Sequence, residues 1–154
     1  MLSQHQDPPL TFAAVPVNLV RPLRDLVLRV GDPAGSSYFP SDDHPETLHF
    51  GAHAGALLVG VATICHETSD ELDDANAWRI RGVAVLPEFQ GKRIGTRLLD
   101  LCIEYARARD GHTIWCSARE PAWAFYDEYG FEEIGETYSK PGREELVLKH
   151  WVFR

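Results

Sequence analysis

Gly82-Val83-Ala84-Val85-Leu86-Pro87-Glu88-Phe89-Gln90-Gly91-Lys92-Arg93-Ile94-Gly95-Thr96 is the stretch whose reading decides the fold. Its apolar start reads as the end of a strand over residues 80–86, closed by Pro87. A short basic turn with two glycines follows and opens a helix over residues 91–109. In that helix Ile94, Leu98, Leu101, Cys102 and Tyr105 recur with a period of 3.6. Arg107 and Arg109 suit its negative C-terminal end, and Gly111 stops it. The first N–H groups of any helix lack internal partners and sit at the positive end of the dipole, a ready site for an anion. Gly91 and Gly95 let the backbone approach a ligand, and Lys92 and Arg93 add positive charge. The expected ligand is a phosphate or pyrophosphate. Neither GxxxxGK[ST] nor GxGxxG occurs, which disfavours nucleoside triphosphates and dinucleotides. Taken alone, the six residues Gln90 to Gly95 are also compatible with a plain helix start.

Working outward, residues 10–15 read as a first strand. Residues 19–29 read as a helix with Leu19, Leu23, Leu26 and Val27 on one face and Pro22 in its first turn. Residues 31–46, rich in Pro, Gly, Ser and Asp, form a long loop with room for a short helix. Residues 48–52 and 57–65 pair as strands across His53-Ala54-Gly55, and residues 67–75 make an acidic connection. Residues 113–116 are a strand. Residues 121–129 are a short helix entered through Pro121 and left at Gly130. Residues 131–138 and 145–153 are two late strands around Pro141-Gly142. Hairpins first, then strands alternating with helices, indicate the α/β class: a mixed, largely antiparallel sheet of six or seven strands with helices on both faces. Residues 1–9 are expected to be a flexible N-terminus and residues 10–154 a single domain.

The formal net charge of −8, from 15 basic and 23 acidic residues, disfavours a general nucleic-acid surface. No apolar run reaches the length that crosses a membrane, and the N-terminus shows no signal-peptide pattern. Cys65, Cys102 and Cys116 are dispersed in apolar runs, as reduced core cysteines of a cytoplasmic protein are. His112 and Cys116 have no companions at ligand spacing, so no metal is expected. Oligomeric state stays open, a homodimer included. The acidic run over residues 67–74, with Asp42 and Asp43, suits a cationic amine. Arg24 and Arg29 suit a carboxylate, so the two signals conflict, and a solvated acidic face is the simpler reading of the run.

The segment Gln90-Gly91-Lys92-Arg93-Ile94-Gly95 resembles the CoA-binding motif of the GNAT superfamily of acetyl-CoA-dependent N-acetyltransferases. Gln90 and Gly95 match its ends, whereas Arg93 stands where a glycine is usual; this departure requires a helical conformation there without strain. Ala122-Trp123-Ala124-Phe125-Tyr126-Asp127-Glu128-Tyr129-Gly130-Phe131 resembles the family's late motif, a helix with a Phe-Tyr pair ending in Gly-Phe. The order of elements over residues 10–153 also agrees. The resemblance implies that acetyl-CoA is the cosubstrate and an amine the acceptor. It implies that Val83, Ala84 and Val85 pair through their backbone with pantetheine, and that Val85 N–H polarises the thioester. Residues Gln90, Gly91, Lys92, Arg93, Ile94, Gly95 and Thr96 would then hold the pyrophosphate. It implies Tyr126 as general acid, where a core aromatic is the alternative. The base stays open between Glu67, His66 and a chain of waters, since Arg79 and Arg81 occupy the strand where the family often carries an acid. A non-catalytic acyl-CoA sensor is the rival reading.

Overall fold

A computed structural model describes residues 8–28, 38–138 and 146–152. Its elements are β1 (Leu10–Ala14), α1 (Val17–Leu28), a 3-10 turn (Pro40–Asp43), β2 (Leu48–Ala54), β3 (Leu57–Cys65), β4 (Trp78–Val85), α2 (Ile94–Arg107), β5 (Thr113–Arg119), α3 (Trp123–Tyr129), β6 (Glu132–Tyr138) and β7 (Leu146–Val152). The strands form one sheet in the order β1-β2-β3-β4-β5-β7-β6. Every pairing is antiparallel except β4 with β5, which is parallel because α2 crosses between them. This is the mixed α/β sheet expected, at seven strands. The expected turn at Pro141-Gly142 and the first nine residues, apart from Pro8 and Pro9, lie outside the described residues.

The two faces carry separate cores. On one face Ile94, Leu98, Leu99, Cys102, Ile103 and Ala106 of α2 pack with Ile64, Trp78, Ile80, Ile114 and Cys116, and α3 adds Tyr126. On the other, Val20 and Leu23 of α1 pack on Val61 and Ala84. The buried stripe of α2 therefore runs one residue to the side of the sequence expectation: Leu99 and Ile103 are inside, while Leu101 and Tyr105 are only partly buried.

Helix α1 departs further. It starts at Val17, so Pro22 lies in its second turn and removes one internal backbone bond rather than none. Leu19 and Leu26 are exposed, and the inward positions are Val20, Leu23 and Arg24. Arg24 is fully buried because it is paired. Its Nη1 and Nη2 donate to Asp42 Oδ2 and Oδ1 at 2.8 and 3.0 Å, and Nη2 also donates to Thr63 Oγ1 at 2.5 Å. A fork-to-fork pair of this kind satisfies both charges away from water. Arg24 is thus engaged with Asp42 and not available to a substrate carboxylate, and Asp42 is not available to a cationic amine. Arg29 lies outside the described residues.

Two irregularities shape the sheet centre. The register of β3 on β4 shifts between Val61 and Thr63, which leaves one extra residue on β4. Gly82 sits at that bulge with φ +60, and a Cβ there would lie 2.6 Å from Arg24 Nε. Glycine is required on both counts, conformation and space. The parallel neighbour is lost before the bulge is reached. β4 pairs with β5 only at Trp78↔Ile114 and Arg79↔Trp115, while β5 stays paired with β7 as far as Arg119. The sheet therefore opens into a wedge between the C-terminal halves of β4 and β5.

Candidate active site

The backbone of β4 faces that wedge in a regular way. Leu86 N–H donates to Val59 O at 2.9 Å, opposite it in the β3 register. In an antiparallel ladder such bonded pairs alternate with unbonded ones. Ala84 therefore bonds β3, whereas Val83 and Val85 turn their N–H and C=O groups toward the wedge. Of the three residues the sequence singled out, two present backbone groups to the opening and Ala84 does not. Gln90 folds back so that its Nε2 donates to Val85 O at 3.0 Å, which fixes the start of the turn to the strand edge.

The turn then delivers the N-terminus of α2 to the mouth of the wedge. The first helical bond runs from Arg97 N–H to Arg93 O at 3.1 Å, and no side chain caps the helix. The amides of Ile94, Gly95 and Thr96 are the orphan donors of this first turn. Gly91, Lys92 and Arg93 are exposed around them. Gly91 has φ +79 with open space where a Cβ would be. Gly95 has a packing reason besides: a Cβ would lie 3.1 Å from the Phe125 ring, so its bareness admits α3 against α2. Arg93 adopts φ 65 and ψ 17, the left-handed region, not the unstrained helical conformation that the sequence reading required.

Tyr126 lies on the α2 face of the wedge, 6% exposed, between Phe125 and Phe131. Its hydroxyl meets the Cys116 thiol, one residue beyond the last β5 position paired to β4. Burial, and then the neighbouring thiols Cys116 and Cys102, push its pKa well above the ordinary phenol value. The phenol is thus both a core aromatic and a proton-bearing group at the crotch of the wedge. Cys102 is raised by the same burial, and Cys65 is raised to about 11, first by desolvation. Neither is a thiolate nucleophile at neutral pH.

The opposite face of the wedge carries the charged groups. Glu67, just beyond β3, accepts from Arg79 Nη1 through Oε2 at 2.6 Å, and Arg81 Nη1 stands 4.0 Å from its Oε1. The Trp115 indole donates to Glu67 O at 2.7 Å and holds the segment down. Arg79 lies over the Trp115 ring at 4.5 Å and Arg81 over the Phe39 ring at 4.0 Å. His66 points elsewhere, stacked on Trp78 with Nδ1 3.3 Å from Glu46 Oε1.

Sequence reasoning missed the buried group beneath this face. His49 Nδ1 is 2.7 Å from Thr63 Oγ1 and its Nε2 is 3.1 Å from Asp42 O, beside the Arg24–Asp42 pair. Burial lowers the His49 pKa. Nothing in the sequence joins residues 24, 42, 49 and 63, but Gly82 inside an apolar strand was a readable sign of the bulge. Among the described residues no three His, Cys, Asp or Glu side chains gather as a metal site. No helix among them is long and apolar enough to cross a membrane.

Comparison with known proteins matches residues 21–131 to the family described as acetyltransferase (GNAT) family. An uncharacterized N-acetyltransferase of Bacillus subtilis (strain 168), YitI, is 30% identical over 115 residues, covering 73% of this chain and 76% of YitI. Among solved structures, Escherichia coli ElaA superposes with a TM-score of 0.76 at 20% identity, over 92% of this chain and 99% of ElaA. The Salmonella typhimurium protein yncA, solved with its cofactor acetyl-CoA, superposes with a TM-score of 0.68 at 17% identity, over 94% of each chain. The family match spans well over half of the sequence and includes the β4–α2 turn, the wedge and α3: the chain belongs to the GNAT family of acetyltransferases.

Proposed function

We propose that this enzyme transfers an acetyl group from acetyl-CoA to a primary amine of a small molecule or peptide by direct attack. The observation that carries the reading is the convergence of two backbone surfaces, a strand edge without a neighbouring strand and a helix start without a side-chain cap. The wedge edge at Val83 and Val85 runs directly into the orphan amides of Ile94, Gly95 and Thr96. A pantetheine arm is an extended chain with amides and would pair along the edge as an added strand. The pyrophosphate would take the helix amides, with Lys92 and Arg93 beside it. The acetyl-CoA bound to yncA supports the choice of ligand.

Val85 N–H, turned into the wedge, would donate to the thioester oxygen as negative charge grows on it. The amine nitrogen forms its bond to the carbonyl carbon, the carbon–sulfur bond breaks, and the amine proton leaves to Glu67, directly or through water. Tyr126 then meets the departing sulfur. A thiol near pKa ~8.5 is more acidic than a free phenol near ~10, a gap of about 2 kcal/mol that the raised pKa of Tyr126 widens, so complete transfer from Tyr126 is uphill. A phenol held protonated by burial serves by donating a hydrogen bond to the thiolate as it forms, with the proton passing on as CoA leaves. Glu67 is already engaged with Arg79, and that engagement is what favours a sensor that binds without turnover. The three cysteines, none in a disulfide, suit a reducing compartment such as the cytoplasm.

Calorimetry with acetyl-CoA tests binding. Charge reversal at the exposed turn (Lys92→Glu with Arg93→Glu) should weaken affinity by tenfold or more, and equal affinity would place the phosphates elsewhere. Tyr126→Phe tests chemistry. It should lower kcat by about 10²-fold with acetyl-CoA affinity retained. Nearly full kcat, where chemistry limits turnover, would remove Tyr126 from the mechanism. Binding of acetyl-CoA with transfer to no amine would favour the sensor.

A further inference from the structure

We infer that the acceptor is an amine that carries a carboxylate close to its amino group, as an α-amino acid does, and that Arg81 holds the carboxylate. This rests on the acetyltransfer reading above and names the substrate class of the same site.

The two faces of the wedge cannot serve the same ligand. The turn at Gln90–Thr96 and the α2 amides lie on the α2 side, where Ile94 packs toward Gly60, so the cosubstrate enters from there. The acceptor must reach the thioester from the α1 side. On that side β4 presents Arg79 and Arg81, and Gly82 follows directly at the bulge. Arg81 is therefore two residues beyond the last β4 position paired to β5, close to where the acetyl group would rest.

The charges there do not balance. Two guanidiniums share one carboxylate, Glu67. Arg79 takes the short contact, 2.6 Å, and leaves Arg81 at 4.0 Å. No hydrogen-bond acceptor is found for the Arg81 guanidinium among the described residues, although its side chain is only 20% exposed. The buried Nε of Arg79 also has no acceptor there. Burial first, then the like charge of Arg79, lower the Arg81 pKa, with Glu67 opposing. Aromatic rings hold both guanidinium planes in place, Phe39 under Arg81 and Trp115 under Arg79. A planar, pre-positioned guanidinium with open donors is shaped for a carboxylate taken by two parallel bonds.

Glu67 completes the match. It stands 4.0 Å from Arg81, so a molecule with its carboxylate on Arg81 and its amine a bond or two away would bring the amine to Glu67. The acceptor proton would then go to Glu67 as nitrogen attacks. The net result is an N-acetylated amino carboxylate and free CoA, with no further co-reactant. The overall charge of −8 does not oppose this, because opposite charges within contact distance outweigh screened surface charge.

The test is an acceptor panel with thiol detection of CoA and mass detection of the acetylated product. The panel holds the common L-amino acids, their α-amides, and carboxylate-free amines such as polyamines. At least one amino acid should be used with kcat/KM tenfold or more above its own amide. Arg81→Gln should erase that preference by raising KM for the acid alone, Arg81→Lys should restore part of it, and both should bind acetyl-CoA as the wild type does. Acid and amide used equally, transfer to carboxylate-free amines only, or an Arg81→Gln loss shared by acid and amide would overturn the inference and leave acetyltransfer standing. No acetyl-CoA binding, or no transfer to any amine, would overturn both.

Discussion

Arg93 is the residue at which the motif and the backbone conflict, and replacing it by glycine gives a measurable result. Its φ of 65 places a Cβ in the left-handed region, which costs an L-residue about 1–2 kcal/mol. Glycine removes that cost but brings about 0.5–1 kcal/mol of extra unfolded-chain entropy. Arg93 also sits as a cation at the positive end of α2, where its removal gains about 0.3–1 kcal/mol. Arg93→Ala shares the charge change and keeps the strain, so the difference between the two variants isolates the backbone, at roughly 1 kcal/mol. For 154 residues, an unfolding entropy of about 2.1 cal/mol/K per residue converts this to a Tm difference near ~3 °C. Thermal melts of the three proteins without cosubstrate should rank glycine above alanine by that margin. Melts with saturating acetyl-CoA should show the ligand-induced rise reduced equally in both, since both lose the same cation beside the proposed pyrophosphate site. Equal Tm values for the two variants would show that the left-handed conformation is not what the site pays for at Arg93.

Gly82→Ala should destabilise by about 2 kcal/mol or more in urea melts, because its Cβ meets Arg24 Nε at 2.6 Å in a backbone with φ +60; a wild-type midpoint would refute the bulge geometry. His49 should make stability fall in mild acid. Its folded pKa lies below the unfolded 6.5, so its contribution is complete above that pH and is lost as pH falls toward the folded value. His49→Gln should flatten the stability curve below pH 6.5, and an unchanged slope would acquit His49. Dialysis against a chelator should leave acetyl transfer intact, and a loss restored specifically by zinc would reveal a metal role.

The local reading of the chain was sound wherever one element settles its own form. The strand over residues 57–65, the turn after β4 and the helix stop at Gly130 were legible because prolines, glycines and apolar periods act over a few residues. It failed at α1, where Leu19 and Leu26 carry the apolar pattern yet face outward and Arg24 goes inside. Hydrophobicity alone cannot anticipate a buried arginine, since its carboxylate partner comes from residue 42 and its hydroxyl partner from residue 63. The offset of one position in the α2 stripe has the same origin: the sheet that α2 covers chooses the face.

The sequence by itself determined the class of fold, the family resemblance and the anion-ready turn, because backbone donors at a helix start depend only on where the helix begins. It also marked Tyr126 and the glycines, which are legible by type and spacing. Only the tertiary structure decided the wedge, since nothing local says that pairing between β4 and β5 stops after Arg79 while β5 stays paired with β7 as far as Arg119. It alone brought Glu67, Arg79 and Arg81 onto the face opposite α2, and it alone turned Val83 and Val85, but not Ala84, toward the opening. The physical reason is common to these: strand register and charge pairing join residues tens of positions apart, and their energies exist only once the chain has closed on itself.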